Sequence, residues 1–214
     1  MIFFPISIFL FILFILFIPF LLMLGYFEIV TTGFEKLGFS SEITIIIIMF
    51  MLMGSVINIP ITRKKLFYTE ERSFLSFFKT KRLRTSGVAV NVGGALIPVI
   101  VSLYLLFKVS WQPVLGAVFF TALAMKFLAR IVPDKGIVIP ALIPPFLSLG
   151  FSFIFAPGFS AACAFISGVL GTLIGADILN LRKAIRLNPG LISIGGAGVF
   201  DGIFLVGIVS ALLT

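Results

Sequence analysis

The sequence predicts an all-α fold, a polytopic transmembrane helical bundle of about seven spans, and its composition is the first reason. Hydrophobic residues make up 60% of the 214 residues and charged residues only 11%, whereas soluble domains carry roughly 25% charge. The mean hydropathy is +1.27. The second reason is that the apolar residues cluster in runs of about 20, the length that a helix needs to cross the hydrocarbon of a bilayer.

Seven apolar runs form the predicted spans. They cover residues 3–27, 43–61, 87–107, 114–132, 136–156, 159–181 and 191–213. The first run has no preceding Lys or Arg and no small-residue cleavage site, so we interpret it as an uncleaved helix and not as a signal peptide. The count treats residues 114–156 as two helices with a turn at Pro133, and a re-entrant element there would change it. Because no internal repeat is evident, residues 1–214 are predicted to form a single integral membrane domain.

The Lys and Arg residues predict the orientation of the chain. Of the 16 cations, all but Lys36 and Lys108 fall on one side of the predicted bilayer. The positive-inside rule assigns that side to the cytoplasm. The amino terminus is therefore predicted to be cytoplasmic and the carboxyl terminus outside, in a multi-pass protein of the cell membrane. Tyr26, Tyr104 and Trp111 then fall at the outer boundary, where interfacial aromatics are common.

The basic cytoplasmic loop at residues 62–86 is the longest polar stretch. Between Arg63 and Arg84 it mixes eight cations with Phe and Leu residues. Two interpretations stay open: a segment that lies in the headgroup plane with its cations on anionic lipid, or a solvated loop that fixes the topology. Recruitment of a protein partner is a third. We expect the lipid bilayer and its anionic headgroups as partners and, despite the net charge of +8, no nucleic acid.

The residue types that are missing exclude several kinds of chemistry. The chain has no His and a single cysteine, Cys163. Ser-His and Cys-His catalysis, His-ligated metals, haem with a proximal His and an intrachain disulfide are therefore excluded. We expect neither a metal nor a cofactor, and any chemistry must use carboxylates, amides, hydroxyls or backbone groups.

Polar residues and helix breakers gather on the cytoplasmic side of the predicted spans. Five motifs share this layer: GSVINIP (54–60), NVGGALIP (91–98), PDKGIVIPALIPP (133–145), GADILNL (175–181) and GGAGVFDG (195–202). Such residues are tolerated at membrane depth where protein buries them or water reaches them. We therefore predict a polar cavity that opens to the cytoplasm, with Asn58, Asn91 and Asn180 as interhelical hydrogen-bonding groups.

Asp177 and Asp201 are the only carboxylates clearly inside predicted spans. An ionisable side chain inside a span is a functional hypothesis by default. The structural alternative for Asp177 is a cytoplasmic helix end paired with Arg182 or Arg186. At 1.5 Å per residue, Asp177 lies roughly 7 to 8 Å inside the sixth span and Asp201 about 15 Å inside the seventh. The two carboxylates approach each other only if residues 191–198 are partly unwound.

The segment GGAGVFDGIFL (195–205) resembles the motif of the GxGD-type intramembrane aspartyl proteases, the group of presenilins, signal peptide peptidases and prepilin peptidases. The resemblance implies that Asp201 is the motif aspartate and Asp177 its catalytic partner, with a membrane peptide as substrate. It further implies binding roles for the glycines that precede Asp201 and for a Pro-Ala-Leu element. These residues are Gly195, Gly196, Gly198, Pro140, Ala141 and Leu142.

Three functions are compatible with these features. The first is an aspartate-dyad intramembrane hydrolase that needs both carboxylates. The second is a small proton- or cation-coupled transporter in which Asp201 binds the ion and unwound glycine-rich backbone supplies carbonyl groups. The third is a non-catalytic membrane scaffold that depends on the charges of residues 62–86. Membership of an uncharacterised prokaryotic membrane family also agrees with the sequence and would fix no activity.

Overall fold

The computed structural model describes residues 6–62, 65–72, 79–132, 136–187 and 190–196, and residues 203, 205–207, 209 and 213 near the carboxyl end. The α-helices of this part of the chain are α1 (Ile6–Glu35), α2 (Ser41–Gly54), α3 (Ile97–Leu106), α4 (Trp111–Leu128), α5 (Ile143–Phe155), α6 (Ser160–Thr172) and α7 (Leu181–Leu187). Two π-helical segments extend them: Val92–Leu96 leads into α3, and Leu173–Ile178 continues α6. A 3-10 turn, Pro157–Phe159, joins α5 to α6.

The strands form two small sheets. They are β1 (Asn58–Pro60), β2 (Lys65–Arg72), β3 (Lys79–Asn91), β4 (Arg130–Val132), β5 (Gly136–Val138) and β6 (Leu191–Ile194). The long strand β3 is central to the first sheet, because it pairs antiparallel with β1 and β2 and parallel with β6. The second sheet is the antiparallel pair of β4 and β5.

Proline residues mark several helix boundaries. Pro98 lies in the first turn of α3, and Pro144 and Pro145 lie in the first turn of α5, where a missing backbone N–H leaves no helical hydrogen bond unmade. At the other end of α5, Ala156 leaves the helical conformation directly before Pro157. A residue before proline is disfavoured in the α region, so the sequence ends α5 there.

The core is built around α6. Residues 163–169 of this helix are all buried, and α6 packs against α3, α4 and α5. Its small residues allow the neighbouring helix to come close. In the π-helical segment that continues α6, a Cβ atom on Gly175 would lie 2.1 Å from the carbonyl oxygen of Ala122 in α4, so this position accepts only glycine without a shift of α4.

Both sheets lie at one end of the helices. The strand β1 follows the last turn of α2, β3 leads into α3, β4 follows α4, β5 precedes α5, and β6 follows α7. The other end holds the connections between α1 and α2 and between α3 and α4, where the rings of Phe39 and Tyr104 lie 5.4 Å apart. We call the first of these the sheet end.

The predicted helical fold is confirmed in part: the chain is mostly helical, but it also contains small sheets. The predicted transmembrane helices include residues 58–60, 87–91, 130–132, 136–138 and 191–194, which instead form strands. These segments are short apolar runs rich in Ile and Val, and periodicity alone does not distinguish such a run from a piece of buried helix. The spans are consequently shorter than predicted: α2 has 14 residues, which is about 21 Å, against the roughly 30 Å of hydrocarbon.

Two helices among the described residues are long and apolar enough to cross a membrane. They are Trp111–Leu128 and the continuous helical stretch Pro157–Ile178. The structure is therefore not clearly a bundle of seven spans.

The basic loop contains regular secondary structure. Its residues 65–72 and 79–86 form a β-hairpin, which we call the basic hairpin, with eight residue pairs from Lys65↔Ser86 to Arg72↔Lys79. At its base, β3 continues into the first sheet, where residues 87–90 pair with β6. The basic segment is thus anchored to the sheet end by an uninterrupted strand.

Candidate functional site

The site lies where the first sheet meets the helices, and Asn91 is its first component. Asn91 is the last residue of β3 and is buried. Its Oδ1 accepts a hydrogen bond of 2.7 Å from the backbone N–H of Gly94 and so caps the π-helical segment that leads into α3. Its Nδ2 donates to the carbonyl of Ser55, at 2.6 Å, and to Oδ1 of Asn58, at 3.2 Å. One amide thus joins the end of α2, strand β1 and the beginning of α3.

The network extends to β6 through Asn58. Oδ1 of Asn58 also accepts a hydrogen bond from the hydroxyl of Ser193. Ser193 pairs in register with Ala89 of β3. Side chains of β1, β3 and β6 are therefore linked in addition to their backbone ladders.

Asp177 lies next to this network, inside the π-helical segment Leu173–Ile178. Its side chain is only 1% exposed. Oδ2 accepts a hydrogen bond of 2.6 Å from the backbone N–H of Gly195, which directly follows β6. Oδ1 has no hydrogen-bond partner among the described residues. A carboxyl group is therefore buried with one of its two oxygens unsatisfied.

Gly195 brings the two π-helical segments together. Its φ angle is +67°, a conformation that glycine adopts without steric cost. A Cβ atom at this position would lie 2.6 Å from the carbonyl carbon and oxygen of Gly94. The backbone of Gly195 thus contacts the segment Val92–Leu96 on one side and hydrogen-bonds Asp177 on the other. π-Helical turns occur frequently at functional sites, and here two of them meet at one residue.

An apolar cavity of about 280 Å³ lies beside the site. It is lined by residues of both π-helical segments and of β3, β6, α3 and α6: Val90, Ala95, Leu96, Val99, Leu170, Leu173, Ile174, Ile178 and Ile194. All of these side chains are apolar. Its apolar lining differs from that of the polar cavity that the sequence predicts.

Asn180 connects the end of the second π-helical segment to α4. Its Nδ2 donates to the carbonyl of Lys126, at 3.2 Å, and to the carbonyl of Gly175, at 3.1 Å. It is therefore an interhelical link and is not in the Asn91 network. Arg182 and Arg186, the proposed ion partners of Asp177, are exposed on α7, and the structure records no ion pair between either of them and Asp177 within the described ranges.

No described residue of the Pro-Ala-Leu element forms a hydrogen bond with Asp177. Pro140 and Leu142 are exposed and Ala141 is half-buried, in the turn between β5 and α5. Gly196 donates from its backbone N–H to the carbonyl of Ser193, at 3.1 Å. Gly198 and Asp201 lie outside the described residues. The predicted pairing of Asp177 with Asp201 is thus neither seen nor contradicted.

Sequence patterns did not single out two residues of the site, Ser193 and Gly94. Ser193 falls within the predicted seventh span, and LISI (191–194) is a short, mostly apolar run that periodicity alone does not assign to a strand. Gly94 follows Asn91 at the spacing from an N-cap to the third helical position. That spacing was available in the sequence and marks a helix start at Asn91.

Fold and site together define a mostly helical protein that has, in its described part, two membrane-length helices and a buried carboxyl group at a sheet–helix junction. The chain belongs to the DUF1614 family, described as proteins of unknown function, whose profile matches residues 52–213. The matched region contains every strand and every residue of the network described above. No curated protein and no solved structure matches the chain.

The family membership corrects the resemblance drawn from residues 195–205. The chain matches the DUF1614 profile and no GxGD-type protease family. The assignment to the intramembrane aspartyl proteases is therefore wrong. Gly195, the described glycine at the beginning of this stretch, has a structural explanation: its position requires a close backbone contact and a positive φ angle.

Proposed function

We propose that this protein is a multi-pass membrane transporter coupled to proton movement, and that Asp177 takes up and releases the proton. The observation that carries the proposal is the buried carboxyl group of Asp177, in which Oδ2 accepts one hydrogen bond and Oδ1 accepts none from the described residues. An ionised carboxylate offers about four acceptor positions, and burying a charge without compensating hydrogen bonds is costly. A proton bound at Oδ1 removes that cost.

The surface of the helices supports a location in a membrane. Large apolar side chains are exposed on several helices, for example Leu16 of α1, Met53 of α2, Phe119 of α4 and Ile154 of α5, which are 61 to 71% exposed. Soluble monomers rarely expose contiguous apolar patches larger than a few hundred Å². A bilayer around the helices accounts for these side chains, and the open edges of the sheets then lie outside the hydrocarbon, where they are tolerated.

The distribution of charge supports an orientation with the sheet end in the cytoplasm. Exposed cations at this end are Arg130, Arg182, Lys183 and Arg186, and the basic hairpin adds more. At the other end the described cations are Lys36 and Lys108. The positive-inside rule assigns the end with more Lys and Arg to the cytoplasm, so Asp177 would lie near the inner boundary of the hydrocarbon.

The two π-helical segments are the part of the protein that we expect to move during transport. A π-helical turn contains one residue more than an α-helical turn, and a shift of that extra residue changes the rotation of the helix beyond it. Asp177 lies inside one such segment, and its partner Gly195 touches the other. Loss or gain of a proton at Asp177 acts directly on the hydrogen bond that joins them.

A pH jump on a supported membrane tests the proposal without a known substrate. The full chain is reconstituted in liposomes that are adsorbed on a solid-supported membrane, and the charge displaced by a rapid pH change is recorded. A proton that enters a buried site produces a transient current. We expect Asp177→Asn to abolish this current, because an amide cannot take up or release a proton over the pH range of the jump. The amide still offers an acceptor for the N–H of Gly195, so the hydrogen bond at the site is kept.

The matched control is Glu42→Gln, which removes a carboxylate from an exposed position at the beginning of α2. It should leave the transient current unchanged. An equal current in the protein and in Asp177→Asn would refute the proposal. A current that follows a jump in Na⁺ or K⁺ at constant pH, and not a pH jump, would replace the proton by a cation.

The proposal moves the ion-binding role from Asp201 to Asp177. The transporter hypothesis drawn from the sequence assigned the ion to Asp201, which lies outside the described residues. Asp177 is the carboxyl group whose burial and hydrogen bonding support that role. A non-catalytic scaffold is the second candidate, favoured by the basic hairpin, and it requires that Asp177→Asn leave every function of the protein intact.

A further inference from the structure

We infer that the basic hairpin binds the anionic headgroup layer of the membrane on which the sheet end rests, independently of the proposed proton transport. The hairpin is a long, regular element. Its eight residue pairs correspond to about 26 Å of strand at about 3.3 Å per residue. Its strand β3 runs without interruption into the first sheet, where residues 89–91 pair with β1 and residues 87–90 with β6. The hairpin therefore projects from the protein in a set direction.

The paired segments of the hairpin carry an excess of positive charge. The paired segments contain six Lys and Arg residues and two Glu residues. Glu70 lies opposite Lys81, whereas Arg72 lies directly opposite Lys79 at the far end of the pairing. The six cations exceed the two carboxylates by four, and this excess favours an anionic partner.

The composition of the strands favours a lipid surface over a nucleic acid. Leu66, Phe67 and Tyr68 follow one another in β2, and aromatic and apolar residues beside cations are typical of segments at the membrane interface. The hairpin also begins at the sheet end, from which the exposed apolar helices extend. Exposed Arg182, Lys183 and Arg186 on α7 add positive charge at the same end. These features together match an anionic leaflet.

Quenching by labelled lipids measures the contact in the full chain. The protein is placed in nanodiscs of phosphatidylcholine, alone or mixed with phosphatidylglycerol, with a quencher attached to a fraction of the phosphatidylcholine headgroups. A fluorophore is attached to Thr80→Cys. The native Cys163 is fully buried, so the protein without the introduced cysteine gives the labelling background. We expect phosphatidylglycerol to increase quenching and added salt to reverse the increase.

Two double variants with the same change in charge make the test specific. Arg72→Gln/Lys79→Gln removes the two cations at the far end of the hairpin. It should weaken the binding of the hairpin to phosphatidylglycerol about 25-fold, because each cation near an anionic surface strengthens such binding about fivefold. Lys36→Gln/Lys108→Gln removes two exposed cations from the opposite end of the helices and should leave the response unchanged.

Three results would overturn the inference. The first is equal quenching in neutral and anionic discs. The second is the same loss of response in both double variants, which would assign the effect to net charge. The third is a response to phosphatidylglycerol that a soluble anionic polymer such as duplex DNA abolishes at equal ionic strength, which would assign the hairpin to a nucleic acid. None of these results depends on whether Asp177 exchanges a proton.

Discussion

Substituting Gly195 by Ala tests whether the contact between the two π-helical segments requires glycine. Two costs add at this position. The φ angle of +67° is unfavourable for a residue with a side chain by about 1 to 2 kcal/mol. The new Cβ would also lie 2.6 Å from the backbone of Gly94 and 2.8 Å from Cβ of Ala95. Relief of such an overlap costs about a further 1 to 3 kcal/mol, so we expect Gly195→Ala to lower the free energy of unfolding by about 2 to 5 kcal/mol.

Gly38→Ala separates the two costs. Gly38 has a φ angle of +86°, and a Cβ atom added to it would meet nothing within 4 Å beyond its two chain neighbours. Alanine at this position therefore has only the energetic cost of the positive φ angle. The free energy of unfolding is measured by titrating mixed micelles with sodium dodecyl sulfate and following the far-UV circular dichroism. The difference between the two variants gives the energy of the overlap. If Gly195→Ala destabilises the protein no more than Gly38→Ala, the close contact of Gly195 with Gly94 is refuted.

Two further substitutions test the packing and the hydrogen bonds of the site. Gly175→Ala should be destabilising by about 1 to 3 kcal/mol, because its Cβ would meet the Ala122 carbonyl. Gly150→Ala, in an open position on α5, should be neutral or stabilising in the same titration. Equal effects would contradict the packing of the π-helical segment Leu173–Ile178 on α4. Asp177→Leu should destabilise the protein by about 1 to 3 kcal/mol more than Asp177→Asn, since only Leu leaves the buried N–H of Gly195 without an acceptor. Equal stability of the two Asp177 variants would argue against that hydrogen bond.

The sequence predicted the location of the site better than its architecture. Motifs 54–60, 91–98 and 175–181 and Gly195 were placed in one layer, and the structure brings Asn58, Asn91, Asp177 and Gly195 together there. These residues lie close together because Asn, Gly and Pro are residues that end helices. In a set of antiparallel helices, alternate connections lie at the same end, so helix-ending residues in those connections come close together. The partner of Asp177 was not predictable in this way, because a backbone N–H carries no signal in the sequence.

The basic segment shows a different limit. Its eight cations predict a surface position, and a charge run is usually a solvated segment. The structure gives residues 65–72 and 79–86 a hairpin register. The segment KLFYTEER has several residues with high β propensity, but that propensity depends strongly on the neighbouring strand. The hairpin could be recognised only together with the sheet to which β3 belongs.

The division of apolar runs between helix and strand follows from long-range pairing. The predicted second span, residues 43–61, is a helix as far as Gly54 and a strand from Asn58. Both parts are apolar, so hydropathy counts them alike, and a strand of four to eight apolar residues cannot be told from buried helix by periodicity. What makes residues 58–60 a strand is β3, whose Asn91 pairs with Asn58 across 33 positions of the chain. A method that reads one window at a time therefore extends a predicted helix into the adjoining strand, and the predicted spans are longer than the helices of the structure.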